Sequence, residues 1–127
     1  MKYFFNDLFS IVTTSLVYLL GGFDVSLKSL IIVIILDYIT GVIAAFYNKK
    51  LNSKIGFKGI MKKFCYFLVI ALAVVIDNML NKTGVIRTLV IYFFVANDGL
   101  SIIENMLKMG IKLPQKLVDS LDQMKNK

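Results

Sequence analysis

From its N-terminus the chain alternates four long apolar stretches with short polar connections. Residues 4–22 mix Leu8, Ile11, Leu16 and Leu19 with Asn6, Ser10, Thr13 and Thr14, and those four polar residues recur at helical spacing. One face of this helix is therefore wettable and the other apolar. Residues 29–47 contain the run IIVIIL, which in water would suggest a strand. In lipid the backbone must satisfy its own hydrogen bonds, so the same run is expected as helix. Residues 64–80 and 85–103 complete the set, and each stretch approaches the roughly 20 residues a span requires. Gly21 and Gly22 end the first helix, residues 81–84 (NKTG) form a tight turn, and Gly110 and Pro114 close the last helix. The pattern predicts an all-α integral membrane protein, a single domain over residues 1–127 with about four transmembrane helices. Residues 105–127 are expected as a cytoplasmic tail, of which residues 115–127 form a short amphipathic, solvated segment with Leu117 and Leu121 on one side. For residues 4–22 two other readings stay open, an amphipathic helix lying in the interface and a cleaved signal peptide. The signal peptide is disfavoured because Lys2 is the lone cation of its n-region and no A-x-A-like site follows.

Charge orients this arrangement. Residues 48–63 hold Lys49, Lys50, Lys54, Lys58, Lys62 and Lys63 without an acidic residue. A short lysine-rich loop between two apolar segments resists translocation, so it marks the cytoplasmic side and, with four spans, places both termini there. The host compartment is then the cytoplasmic (inner) membrane. The net charge of +7 sits mostly in this loop and the tail. At a membrane boundary these lysines meet anionic lipid headgroups, each contributing about 1 kcal/mol, and their position argues against a nucleic-acid partner. A hydrophobic content of 57% and a mean hydropathy of +0.74 exceed what a soluble domain carries.

Chemistry is limited by absences. The sequence has no histidine and one cysteine, Cys65, whose expected role is packing. Asp37, Asp77, Asp98 and Glu104 fall at different depths, without a metal motif or a phosphate-binding loop. An enzyme is the least favoured reading, and no cofactor or metal is expected.

The polar residues inside the apolar stretches carry more information. Asp37 lies near the centre of its segment, where a carboxylate costs a few kcal/mol unless it faces protein or water. Asp37, Gly41 and Ala45 share a helix face, with Thr40 and Ala44 beside them. Such a small-residue stripe is a helix-contact face, serving either packing within the chain or a homo-oligomer. Asp77 and Arg87 flank the NKTG turn at similar depth, so they either pair with each other or reach the interface separately. Asn97, Ser101, Glu104 and Lys108 share a polar face, within which Glu104 and Lys108 can pair.

Two motifs bring these residues together. The stretch DYITGVIAAFYNKKLNSKIGFKGIMKK resembles the D-x-x-T-G…A…K-x-L-x-S-x-x-G…G-x-x-K-K pattern of the phage lysis and toxin-secretion holins of Gram-positive bacteria and their phages. The run VANDGLSIIENMLKMGIKLPQKLVDSL is similar to that family's I-A-N-E-x-x-S-I-x-E-N…G-x-x-x-P…L signature, with Asp98 where the pattern favours Glu. Together they cover residues 37–121 in the right order and leave the first helix outside. The resemblance implies a protein that oligomerises in the cytoplasmic membrane and forms lesions. Through these a cell-wall hydrolase (endolysin) or toxin escapes without any need for direct contact, and the host lyses. The second reading is of another class, an antiholin or other regulatory or structural membrane subunit that binds a partner without making a hole. A narrow channel is disfavoured by the lack of an inverted repeat or selectivity sequence.

Overall fold

The computed structural model describes residues 1–81 and 83–125 and consists of five helices. They are α1 (Lys2–Leu19), α2 (Val25–Tyr47), α3 (Ser53–Leu80), α4 (Val85–Lys108) and α5 (Gln115–Lys125). Lys82 of the expected NKTG turn lies outside the described residues.

Three helices, α2, α3 and α4, are long and apolar enough to cross a membrane. The fourth span expected over residues 4–22 is not among them, so the expected count of four is not reproduced. Asn6, Asp7, Ser10 and the Thr13–Thr14 pair dilute the hydropathy of α1, and no residue of this 18-residue helix is buried.

The basic segment is also shorter as a loop than expected. The connection between α2 and α3 covers only residues 48–52, and α3 begins at Ser53, so Lys54, Lys58, Lys62 and Lys63 lie on the helix. Asn52 explains the early start: its side chain accepts the Lys54 backbone N–H at 2.9 Å and caps the new helix. At the other end α2 starts at Val25, ahead of the expected residue 29, because Asp24 accepts the Leu27 N–H at 3.0 Å as its cap.

Helix α4 is the centre of the bundle and packs against α2, α3 and α5. Its apolar core joins Leu27 and Leu30 of α2, Ile70 of α3 and Ile91 of α4, with Phe67 and Phe94 against them. Helix α4 continues past the expected span end at residue 103 to Lys108, short of the closing Gly110, and Asn105 in its last turn is buried. The tail helix does not extend into solvent. It folds back on α4, so close that a Cβ on Gly99 would stand 2.9 Å from Leu121 Cδ2.

Candidate functional site

Two polar clusters are built into the apolar bundle. The first fixes the end at which α1, α2, α3 and α4 meet. Arg87 is buried to 8% exposure, and its guanidinium donates to both Asp24 oxygens, Nη1 to Oδ2 at 2.8 Å and Nη2 to Oδ1 at 3.1 Å. Nε also donates to the Leu20 carbonyl and Nη2 to the Gly22 carbonyl, at 2.6 and 3.0 Å. The bend between α1 and α2 therefore wraps around one arginine. Gly21 is needed there, since its φ is +83° and a Cβ would lie 2.6 Å from Arg87 Nε. The neighbouring guanidinium holds the Asp24 carboxyl below its ordinary value of 3.8.

The Asp77–Arg87 side-chain pair is not formed. Asp77 accepts the backbone N–H groups of Ile86 and Arg87, at 3.0 and 2.9 Å, and so caps α4 from the end of α3. A carboxylate at a helix N-terminus satisfies open donors and meets the positive end of the helix dipole. With the acid committed to the backbone, the guanidinium turns away to Asp24.

The second cluster lies midway along the spans. Lys63 Nζ bridges Asp37 Oδ2 at 2.9 Å and Asp98 Oδ1 at 2.7 Å, tying α3 to α2 and α4 together. Tyr66, stacked on Phe94 at 3.9 Å, donates its hydroxyl to Asp98 Oδ1 at 2.8 Å and accepts from Asn97 Nδ2 at 3.1 Å. On the other side Asn105 Nδ2 donates to Thr40 Oγ1 at 3.0 Å and to the Asp37 side chain and carbonyl at 3.3 Å each. Asp98 is fully buried and its second oxygen has no hydrogen-bond partner. Two carboxyl groups share one ammonium within an apolar bundle.

Of the expected small-residue stripe, Thr40 and Ala44 are buried, and Gly41 faces Asn105, whose Nδ2 would be 3.5 Å from an added Cβ. In this chain that face is used against α4. Gly41, Ala45, Ser101 and Lys108 also line a cleft of about 680 Å³ that ends on Asp37 and Lys63. A second cleft of about 550 Å³ reaches the same pair from the Tyr66 side. Glu104 is exposed, and the ion pairs among the described residues do not include one with Lys108. Cys65, expected to pack, is exposed. Lys63, expected in the basic loop, and Asp24 and Tyr66, absent from the expected site, are the partners that complete the clusters. Their traces in the sequence are Asp24's position just before an apolar run and the four-residue spacing of Lys54, Lys58 and Lys62, which carries a helix up to Lys63.

Three apolar spans tied together by ion pairs define a polytopic helical membrane protein. Its class narrows on comparison, because the sequence model of the bacteriophage holin family matches residues 14–126. The chain belongs to the bacteriophage holin family. A probable holin of Bacillus phage phi105 is 39% identical over 105 residues, covering 82% of this chain and 76% of that protein. An uncharacterized 14.9 kDa protein in the nagH 3' region of Clostridium perfringens is 42% identical over 115 residues, covering 90% of this chain and 87% of that relative. The uncharacterized Listeria monocytogenes protein Lmo0128 is 43% identical over 100 residues, covering 79% and 71%. No solved structure matches the chain.

Proposed function

We propose that the chain is a hole-forming holin that self-assembles in the cytoplasmic membrane of a bacterial host and releases an endolysin or toxin, with lysis as the result. The observation that carries this reading is the Asp37–Lys63–Asp98 cluster midway along the spans, a set of ionisable groups in an apolar bundle reached by two clefts. Membrane-embedded charges are tolerated where they face protein or water, and a ring of subunits supplies both. Membership of the holin family and likeness to the phi105 probable holin support it. Nothing in this mechanism calls for enzymatic chemistry, a metal or a cofactor.

The exposed lysines at 49, 50, 54, 58 and 62 hold the α2–α3 end at the cytoplasmic side against anionic headgroups. With three spans α1 then lies at the outer face; with a fourth span through residues 4–22 the N-terminus is inside. An epitope at residue 2, probed on intact cells, distinguishes them.

The deciding experiment is inducible expression with and without a cytosolic wall hydrolase, recording membrane potential and turbidity. The wild type alone is expected to depolarise the cells, and lysis to follow when the hydrolase is present. An antiholin would accumulate without depolarisation, and a narrow channel would depolarise without releasing the enzyme.

A further inference from the structure

The position of α5 conflicts with a lipid-covered bundle. Leu121 packs on Gly99, and Lys125 Nζ lies 6.0 Å from the centre of the Phe93 ring, so α5 runs antiparallel to α4 and back along its apolar stretch. Only one side of α5 is fitted for contact. Val118, Leu121 and Met124 are half-buried, whereas Lys116, Asp119, Asp122 and Gln123 are exposed. Hydrocarbon would strip water from those charges without offering partners.

The rest of the surface is divided in the same sense. On α2 the exposed residues of the spanning stretch are apolar, among them Ile32, Ile35, Leu36, Ile39 and Ile43. On α3 they include Phe64, Leu68, Leu72 and Val75. The exposed charges beside the apolar stretch of α4 are Glu104 and Lys108 on α4 itself and those of α5. At 100° per residue, Ala96, Gly99 and Ile103 share the face beneath α5, Asp98 and Asn105 point to the opposite side toward α2 and α3, and Asn97, Ser101 and Glu104 lie between. Asn97 bonds Tyr66 and Ser101 borders the cleft that leads to Lys63, so this polar stripe runs from the clefts of the central cluster around α4 to the exposed Glu104, the member nearest the α5 face.

We propose that the α4–α5 side is the water-facing wall of the assembly, with the docked α5 lining the hole while α2 and α3 face lipid. Asp119 and Asp122 are lumen residues in this arrangement, and Leu121 on Gly99 is the contact that holds the lining in place. The inference rests on the hole-forming reading and adds to it which surface meets water.

A disulfide lock tests it. In a Cys65→Ser background, Gly99→Cys with Leu121→Cys ties α5 to α4, and a third substitution, Asp122→Cys or Leu72→Cys, takes a nitroxide label after the lock has closed. The full chain is placed in phosphatidylglycerol–phosphatidylethanolamine liposomes loaded with protein-sized dextran. Locked and reduced forms should release dextran equally, with the label at 122 relaxed by a water-soluble nickel chelate and the label at 72 by oxygen. Release by the reduced form alone overturns the lining role, since α5 must then leave α4. Release by neither form overturns the hole itself.

Asp119→Leu with Asp122→Leu provides a second test that spares the packed face. Loss of release with carbonate-resistant insertion retained supports the lining role. Unchanged release overturns it.

Discussion

Arg87 grips Asp24 with two hydrogen bonds, of 2.8 and 3.1 Å, across 63 residues of sequence. The pair joins the start of α4 to the start of α2, and the same guanidinium closes the α1–α2 bend through two backbone carbonyls.

Arg87→Gln should therefore do more damage than Asp24→Asn. The arginine is buried and its loss strands two carbonyls as well as the carboxylate, a cost of about 1–3 kcal/mol, whereas the Asp24 side chain is 49% exposed and can rehydrate. Asp77→Asn should add to Arg87→Gln almost independently, because Asp77 bonds the Arg87 backbone and not its side chain. Thermal unfolding in detergent of the singles and doubles measures both. Strong coupling between positions 77 and 87 would contradict the observed bonding.

The pH dependence of this end follows from the lowered Asp24 value. Its carboxylate is charged more readily in the folded chain than in the unfolded one, so the stabilisation is complete above the ordinary value of 3.8. It is lost as pH falls below 3.8 and the carboxyl takes up its proton. The amplitude is small because solvent screens the half-exposed side chain. Unfolding temperatures between pH 7 and pH 3 should fall at the acid end in wild type. Asp24→Asn should lack that component.

The central cluster behaves differently. Lys63→Met leaves Asp37 and Asp98 buried without a cation, and breaking such a pair costs about 3–5 kcal/mol. Poor accumulation in the membrane is expected. Adding Asp37→Asn and Asp98→Asn to Lys63→Met removes the stranded charges and should restore accumulation in large part. Quantitative immunoblotting of carbonate-washed membranes measures it, and no rescue would mean that the charges were already solvated.

The helical class and the segments that became α2, α3 and α4 were legible because length and hydropathy decide spans almost without tertiary context. The partners were not. Asp37, Asp77, Arg87 and Asp98 stood out as costly, yet which side chain answers which depends on rotation and approach of helices far apart in sequence. Asp77 and Arg87 were neighbours across a turn, and that proximity suggested a pair. The open N–H groups of α4 claimed the acid instead. Lys63 read as one more loop lysine because the start of α3 rests on a single cap, Asn52. The tail was expected in solvent, since its apolar stripe is short and its contact on Gly99 leaves no periodic trace.

Gly41 separates packing within the chain from contact between copies. An added methyl would meet Asn105 Nδ2 at 3.5 Å, an ordinary contact, so Gly41→Ala should be close to neutral. A leucine cannot fit between the backbone and Asn105 without disturbing the bonds from Asn105 to Thr40 and Asp37. Overpacking of this kind costs about 1–3 kcal/mol. Gly41→Leu is thus expected to lower the unfolding temperature of the monomer in detergent and to weaken depolarisation in cells through reduced accumulation. Because Gly41 also borders the cleft leading to Lys63, part of the leucine can turn outward, which sets the lower end of that range. If Gly41→Leu left monomer stability and accumulation intact but abolished cross-linked oligomers, the stripe would be an interface between copies, and the α2–α4 contact would be secondary.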